Sequence, residues 1–253
     1  MRIFETGGVG GMMNGQRKKL KIFCKIFYPK YSFSAVQDLI ISHCGPNSQV
    51  LEIGAGSGKG MQTKINLRGR VKRVVGIDLD PRVLENSSLD ESYQMDVMDI
   101  GEKLARKFDV IFSVMVVEHI EDPRRFLDRQ LELLTPGGVL IHYTVSRYSP
   151  VSMIANWVPE WLKLWLIQTL GSGRTKKDVF KTFYRLNSAS DVRKYLDSKN
   201  AKLIASYWDG PPGYLRRSFI LMFVYWVFHK PFQYLFPMIR PNFVFVVFKI
   251  PQK

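Results

Sequence analysis

The chain has 253 residues, 46% of them hydrophobic, and its formal net charge at pH 7 is +15. This length supports one large α/β domain with an appended lobe. Cys24 and Cys44 form no metal or redox motif and nothing suggests a disulfide framework, so we expect reduced thiols in the cytoplasm. We find no signal peptide, and no uncharged apolar run is as long as a membrane span.

The N-terminal part of the sequence changes character near residue 16. Residues 1–15 are rich in glycine and predict a disordered tail, whereas residues 16–45 predict helices, the first of them basic and amphipathic. The excess of positive charge fits either a solvated basic surface or an acidic partner. The acidic partners to consider are nucleic acid, phosphorylated substrates and an anionic membrane surface.

The motif VLEIGAGSGKG at residues 50–60 predicts a buried strand that runs into a glycine turn. Its alternating glycines allow positive φ and let a ligand approach bare backbone amides. A second strand, within VVGIDLDP at 74–81, ends at Asp78, twenty positions beyond Gly58. In a strand–turn–helix–strand unit, this spacing places a carboxylate beside the ribose hydroxyls of a nucleoside-containing cofactor.

The spacing of the glycines excludes two common nucleotide motifs. A dinucleotide fingerprint would need glycine at Lys59 or Met61, and a phosphate-binding loop would need glycine at Ile53. The pattern that remains is an acidic residue, Glu52, followed by three alternating glycines. A carboxylate at this place would repel a pyrophosphate but suits a cofactor that carries an ammonium and a sulfonium group.

Strands and helices alternate along the rest of the chain, which predicts a parallel sheet with ligands at the carboxyl ends of its strands. The predicted strands are 49–53, 73–78, 92–96, 108–114, 139–145, 203–208 and 242–250. The predicted helices are 33–44, 100–106, 122–134 and 190–198, with others that begin at Gly58 and Pro81. A turn at Pro136–Gly138 is expected before the fifth strand.

Four motifs, taken in this order along residues 48–146, resemble class I S-adenosylmethionine-dependent methyltransferases: VLEIGAGSGKG, YQMDV, FDVIFSVMVVEHIEDP and LLTPGGVLIHYTV. The sequences VVEHIEDP and TPGGVL are most similar to those of the subgroup that includes ubiquinone, menaquinone and sugar O-methyltransferases. The resemblance implies a Rossmann-like α/β domain over 46–253. It would have a seven-stranded, mostly parallel sheet, helices on both faces and an apolar helical insertion before the last strand.

The resemblance also implies the cofactor, S-adenosylmethionine, and the residues that contact it. The expected contacts are Glu52, Gly54, Ala55, Gly56, Gly58, Asp78, Leu79, Asp96, Val97, Ser113 and Val114. Relatives in the ubiquinone pathway hold a divalent metal with two acids and a histidine. Met115 stands where the first acid should be, and methionine is a poor ligand for hard cations, so we expect no metal.

The best-placed candidate for a general base is His119, just past the fourth strand, although a loop histidine that caps the next helix is an alternative. Glu118 is expected to contact the substrate, and the alternatives are that it binds the cofactor, orients His119 or faces solvent. Arg147, Tyr148 and Arg185 follow as expected substrate contacts. Together these residues predict methyl transfer to a hydroxyl group.

The second half of the chain departs from a minimal methyltransferase. A lid segment at 147–187 carries Trp157, Trp161 and Trp165 on one predicted helix face. An apolar insertion at 209–241 is bordered by basic residues, namely Arg216, Arg217, Lys230 and Arg240. These segments predict either a second small core or a lid that also touches an anionic membrane at its cytoplasmic face.

The acceptor is expected to be a sugar, a glycolipid or another amphiphilic small molecule. The C-terminal half is similar to methyltransferase-domain proteins of polysaccharide and glycolipid biosynthesis. Amino-methylation of nucleic-acid bases is disfavoured, because the place after the fourth strand reads SVMV and lacks the Pro-Pro and the aromatic residue that follow Asp, Asn or Ser in the usual motif. An RNA methyltransferase and a catalytically silent interaction protein stay open as alternatives, as does the oligomeric state.

Overall fold

The computed structural model of the chain describes residues 19, 22–24, 26–28, 32–59, 65–100, 104, 107–150, 152–153, 158–159, 181–197, 199–210 and 219–251. The chain divides into two compact units, which are treated separately below. Unit 1 comprises Met1–Ser32, Ser146–Lys181 and Tyr207–Asn242. Unit 2 comprises Phe33–Val145, Thr182–Ser206 and Phe243–Lys253.

A seven-stranded sheet forms the framework of unit 2, in the order β3-β2-β1-β4-β5-β7-β6. The strands are β1 Gln49–Ile53, β2 Arg73–Asp78, β3 Glu91–Gln94, β4 Phe108–Val114, β5 Leu134–Val145, β6 Ala201–Trp208 and β7 Asn242–Lys249. The first five strands pair in parallel, and β7 runs antiparallel. The predicted Rossmann-like, mostly parallel fold is therefore confirmed.

The central strands are buried, and most of their side chains are apolar. In β1 only Gln49 is partly exposed, and in β4 only Asp109 is partly exposed. Continuous burial on both faces is what a parallel sheet covered by helices requires. The apolar side chains that fill this core include Leu51, Ile111, Phe112 and Phe245, each with almost no exposed surface.

Among the described residues, one α-helix precedes β1, and two α-helices and three short 3-10 helices lie between β1 and β6. The α-helices are α1 Ser32–Ser42, α2 Pro123–Leu133 and α3 Ala189–Leu196. The 3-10 helices are Pro81–Glu85, Val97–Asp99 and Val117–His119. Side-chain caps fix their starts: Asp122 accepts a hydrogen bond from the Arg125 amide at 3.0 Å, and Ser188 accepts one from the Asp191 amide at 3.2 Å.

Several predicted boundaries differ from the observed ones, most of them by one or two residues, and two differences have an identifiable cause. Strand β3 ends at Gln94 rather than residue 96, because Asp96 leaves the strand to cap the helix Val97–Asp99. The predicted turn at Pro136–Gly138 lies inside β5, where the pairing with β4 shifts register and Gly137 adopts a φ of 80°. A bulge with a left-handed glycine thus extends the strand where a turn was expected. The helices predicted from Gly58 and over 100–106 fall mostly outside the described residues.

Unit 1 contains a long apolar helix, α4 Phe219–Leu235, followed by a 3-10 helix at Pro237–Ile239. Residues 22–24 and 26–27 are also helical. They pack on α4 through a cluster in which Phe23, Tyr28 and Met222 are buried and Phe219 and Trp226 are partly buried. No helix within the described ranges combines the length and the apolar character needed to cross a membrane. Trp157, Trp161, Trp165, Arg216 and Arg217 lie outside the described residues.

Candidate cofactor-binding site

A tight glycine turn follows β1 at the carboxyl edge of the sheet. Gly54, Gly56 and Gly58 all have positive φ, at 74°, 54° and 70°. A Cβ atom on Gly54 would lie 2.2 Å from Val116 Cγ2, and one on Gly58 would lie 2.3 Å from Asn86 Oδ1. Only glycine satisfies both the backbone conformation and the space, so the turn presents bare backbone to whatever lies above it.

Glu52 is the buried acidic residue of the glycine motif. Its side chain is only 3% exposed, and burial, followed by the negative charge of Asp78, raises its pKa to about 8. Its Oε1 atom is fully buried and has no hydrogen-bond partner within the described part of the chain. A buried carboxyl group with an unused oxygen is costly, which indicates that it serves a ligand group that donates a hydrogen bond.

Asp78 ends β2 and connects directly to the glycine turn. Its Oδ2 accepts a hydrogen bond from the Gly56 amide and its Oδ1 accepts one from the Asp80 amide, both at 2.8 Å. Each carboxylate oxygen keeps a further lone pair for a ligand hydroxyl. Leu79, next in the chain, is 61% exposed, which leaves an apolar surface beside this carboxylate.

Asp96 and Val97 follow β3 at the same edge of the sheet. Asp96 is half-buried and accepts a hydrogen bond from the Met98 amide at 2.9 Å, as the cap of a 3-10 helix. Val97 is buried. The Asp96 carboxylate, an expected cofactor contact, is thus held by its own backbone, with the second oxygen not used in this cap.

Ser113 and Val114, which are predicted to contact the cofactor at the end of β4, are more deeply buried than such contacts suggest. Ser113 is fully buried, and its Oγ lies 2.8 Å from His142 Nδ1 on β5. His142 packs between Phe126 and Phe245, and burial lowers its pKa to about 3. Val114 is buried as well. The hydroxyl of Ser113 therefore belongs to the core, and a cofactor contact at this position would use backbone atoms.

The sequence analysis did not identify Asn86, whose side chain holds the glycine turn through hydrogen bonds. Its Nδ2 donates hydrogen bonds to the carbonyls of Ala55 and Gly56 at 3.0 and 3.2 Å. Its Oδ1 accepts from the amide and the hydroxyl of Ser88 at 3.0 and 2.6 Å. The side chain is 6% exposed and all of its hydrogen-bonding groups are used. Asn86 thereby fixes the orientation of the peptide groups in the turn.

The loop after β4 contains backbone in an unusual conformation. Met115 has a φ of 56°, and Tyr184 has a φ of 52°, and these are the non-glycine residues with positive φ in the described part of the chain. The Phe183 and Tyr184 amides donate to the Glu118 carbonyl at 2.8 and 3.3 Å. Both residues with positive φ therefore flank Glu118. Such outliers concentrate where a fold is built around a ligand.

A buried hydrogen-bond network surrounds the Glu118 carboxylate. Glu118 is 7% exposed, and its Oε2 accepts a 2.7 Å hydrogen bond from the Thr144 hydroxyl. Asn187 donates to Thr144 Oγ1 and to the Val145 carbonyl, each at 2.8 Å. The network thus ties the loop after β4 to β5 and to residues 183–187. A direct contact between Glu118 and substrate stays a prediction.

The remaining predicted site residues lie in both units. In unit 2, His119 is partly buried at the end of the helix Val117–His119, and Arg185 is exposed. The Arg185 guanidinium lies over the Phe183 ring, with Cζ 5.3 Å from its centroid, and donates to the Glu121 carbonyl. In unit 1, Arg147 Cζ lies 5.7 Å from the centroid of the Tyr148 ring. Their roles toward substrate are not tested by these contacts.

The described residues contain no group of three or more His, Cys, Asp or Glu side chains that could hold a metal ion. Met115 and Glu118 occupy two of the positions that hold the acids in metal-dependent relatives, and only Glu118 offers a carboxylate. The expectation that the site works without a metal stays a prediction.

Comparison with known proteins gives matches along most of the chain. The sequence profile of a family described as "Methyltransferase domain" matches residues 28–202. A ubiquinone biosynthesis O-methyltransferase from Cereibacter sphaeroides is 30% identical over 152 residues, which are 56% of this chain and 60% of that protein. The chain thus spans less than two thirds of the length of this relative.

Solved structures share the fold at low sequence identity. The N-methyltransferase NodS from Bradyrhizobium japonicum, in complex with S-adenosyl-L-homocysteine, has a TM-score of 0.52 and 17% identity, covering 94% of this chain and 97% of that one. The plantazolicin methyltransferase BpumL, in complex with a triazolic substrate analogue and S-adenosyl-L-homocysteine, has a TM-score of 0.54 and 12% identity, with coverages of 93% and 97%. These similarities support the fold.

Proposed function

The chain belongs to the class I S-adenosylmethionine-dependent methyltransferase family, and from this we propose that it transfers a methyl group from S-adenosylmethionine to a hydroxyl of an amphiphilic acceptor. A sugar or a glycolipid is the acceptor class that we favour. The similarity to ubiquinone biosynthesis O-methyltransferases supports an oxygen nucleophile.

The proposed cofactor rests on one observation. Glu52 has a buried oxygen without a hydrogen-bond partner among the described residues, and it precedes a glycine turn in which Gly54 and Gly58 leave no space for a side chain. S-adenosylmethionine has an ammonium group that can donate to such an oxygen and a sulfonium whose charge a carboxylate stabilises. The two carboxylates Asp78 and Asp96 follow the next strands in sheet order, where a ribose and an adenine need acceptors. The residues present therefore fit this cofactor.

The residues of the chain have distinct roles in the proposed reaction. The cofactor, when bound, supplies an electrophilic methyl carbon. Gly54, Ala55, Gly56 and Gly58 offer backbone groups for its amino-acid part, and Leu79 and Val97 offer apolar contacts for its base. His119 accepts the proton of the acceptor hydroxyl as the nucleophile forms. Glu118 holds the loop that carries His119 through its bonds to Thr144 and to residues 183–184.

The acceptor is proposed from the chemistry of the residues beyond the cofactor motif. Arg147 and Tyr148 of unit 1 and, separately, Arg185 of unit 2 offer cationic and aromatic groups, which suit a phosphate and a sugar ring. Unit 1 adds a large apolar surface, which a purely polar acceptor would not need. We therefore place the reaction at the cytoplasmic face of an anionic membrane, in polysaccharide or glycolipid biosynthesis.

Two measurements test the proposal in sequence. Titration calorimetry should show binding of S-adenosylmethionine, and a chain that binds none would be a silent protein with a methyltransferase fold. Incubation of methyl-labelled S-adenosylmethionine with a lipid extract and, separately, with total RNA should then label the lipid fraction. Label in RNA alone would favour the alternative of an RNA methyltransferase, for which the net charge of +15 is the supporting observation.

A further inference from the structure

Helix α4 in unit 1 buries a polar pair of side chains on its inner face. Its inner face carries Met222, His229 and Gln233, all buried, and a 2.9 Å hydrogen bond joins Gln233 Nε2 to His229 Nδ1. A helix on the surface of a water-soluble domain presents its polar side chains outward and its apolar side chains inward. In α4 the polar pair lies inside, so the composition of the outer face is the informative feature.

The outer face of α4 is a continuous apolar stripe. At helical spacing, the positions opposite the buried residues are Ile220, Val224, Val227, Phe228, Pro231 and Leu235, and all are exposed. Phe228 and Leu235 expose 69% and 73% of their surface. The only charged residue in the helix, Lys230, is paired with Asp209 and lies over the Tyr28 ring. Water is therefore in contact with a helix face whose side chains are apolar except for the exposed Tyr234 hydroxyl.

The N-terminal helical residues of the same unit also combine packed aromatic side chains with exposed apolar ones. Phe23 and Phe27 turn toward α4, with ring centroids 5.7 Å from Phe219 and 4.4 Å from Trp226 respectively. Ile22 and Ile26, one helical turn apart, are exposed, and Lys19 is exposed one turn before Ile22. Two helical segments that pack on each other through aromatic rings thus both carry exposed apolar side chains.

The positive charge of the chain is concentrated in unit 1. Its segments contain 17 Lys and Arg against 4 Asp and Glu, a net formal charge of +13. The segments of unit 2 contain 20 Lys and Arg against 18 Asp and Glu, a net charge of +2. The apolar stripe and almost all of the excess charge therefore belong to the same part of the chain.

An anionic lipid bilayer is the occupant that matches both properties. Its acyl region accepts an apolar helix face, while its phosphate headgroups attract the excess Lys and Arg of the same unit. Nucleic acid would satisfy the charge but leave the stripe in water. A second copy would cover the stripe but would bring two surfaces of charge +13 together. The 17 residues of α4 extend about 25 Å, and one face is already packed, so the helix would lie in the interface plane.

We propose that unit 1 docks on an anionic membrane through the outer stripe of α4 together with Ile22 and Ile26, with its Lys and Arg residues at the headgroups. The inference uses unit 1 alone and does not depend on the proposed methyl transfer. It goes beyond that function by naming the surface that brings the chain to the membrane.

The test compares an outer-stripe variant with a matched control from unit 2. Phe228→Ser with Leu235→Ser removes two large apolar groups from the stripe, whereas Leu84→Ser with Ile204→Ser removes two exposed apolar groups from unit 2. Flotation should show that the wild type binds phosphatidylcholine vesicles containing phosphatidylglycerol at low salt. The outer-stripe variant should bind at least roughly tenfold more weakly, and the control should match the wild type.

The charge contribution is measured with a second pair of variants. Lys18, Lys19 and Lys21 are changed to Gln in one chain, and Lys72, Lys194 and Lys202 of unit 2 are changed to Gln in the other. Only the first set should weaken vesicle binding, and added salt should weaken the wild type. Circular dichroism and calorimetric binding of S-adenosylmethionine confirm in each variant that the fold and the cofactor site are intact.

Three results would overturn the docking surface. The first is absence of vesicle binding by the wild type at low salt. The second is equal binding by the outer-stripe variant and its control. The third is self-association without vesicles that Phe228→Ser with Leu235→Ser abolishes, which would assign the stripe to a second copy. Because cofactor binding is measured on the same samples, each of these results is distinguishable from failure of the proposed enzymatic function.

Discussion

Binding of S-adenosylmethionine at pH 7 should release nearly one proton from Glu52. In the free chain, burial and the nearby charge of Asp78 raise the pKa of Glu52 to about 8. About nine-tenths of the Glu52 side chains are therefore protonated at pH 7. An ammonium group placed against the unused Oε1 favours the carboxylate form and lowers this pKa, so the proton leaves as the cofactor binds.

The release is measured by titration calorimetry in buffers that differ in their ionisation enthalpy. The slope of observed enthalpy against buffer enthalpy gives the number of protons exchanged. Glu52→Gln should lose most of the release and bind roughly tenfold more weakly or worse, because a charge-assisted hydrogen bond is lost. Glu85→Gln, at an exposed glutamate of the same unit, is the control and should retain the wild-type release. A Glu52→Gln variant with wild-type proton release would refute the assignment of this carboxyl group to the ammonium.

Four further predictions concern the same unit. Asp78→Ala should weaken S-adenosylmethionine binding about tenfold or more by calorimetry, and unchanged affinity would remove the basis of the ribose contact. Asn86→Asp should raise the KM for the cofactor about tenfold at nearly constant kcat, because an acceptor would replace the donor that faces two carbonyls; an unchanged KM would show that the turn holds itself. His119→Ala should lower turnover at saturating cofactor while leaving affinity nearly intact and chelators without effect, and normal turnover would place the base elsewhere. The pKa of His142 is about 3 in the folded chain, below its unfolded value of 6.5. The free energy of unfolding should therefore be highest above pH 6.5 and should fall by up to about 1.4 kcal/mol per pH unit toward pH 3. In urea melts, the variant Ser113→Ala with His142→Leu should lose this pH dependence.

The strands were predictable where the sequence contains continuous apolar runs. The predicted bounds of β1, β2 and β4 coincide with the observed ones, because buried parallel strands need mostly apolar runs, and Gly54 follows β1 while Asp78 ends β2. Glycines at positive φ and a carboxylate after β2 were also predictable, since their spacing is tied to one turn geometry. The bulge at Gly137 was not, because a Pro-Gly-Gly sequence favours a turn equally well.

The parts of the site that could not be predicted depend on contacts between distant segments. The Asn86 side chain donates to the carbonyls of Ala55 and Gly56, which lie 31 and 30 positions earlier in the chain. No local motif indicates this contact. The hydroxyl of Ser113 faces His142 because Ser113 and His142 are register partners in β4 and β5, which only the paired strands reveal. Met115 adopts positive φ although its side chain gives no preference for it, so this strain is visible only in the folded chain.

The central claim is methyl transfer to an amphiphilic hydroxyl acceptor, and one labelling measurement tests it most directly. Wild-type and Asp78→Ala chains are incubated with S-adenosylmethionine, labelled in the methyl group, and a membrane lipid extract, and the products are separated by solvent partition and identified by mass. We expect the wild type to add one methyl group to the oxygen of a glycolipid-type product, with much less label from Asp78→Ala. Wild-type chain that binds the cofactor but transfers no label to lipid, or that labels only RNA, would contradict the claim.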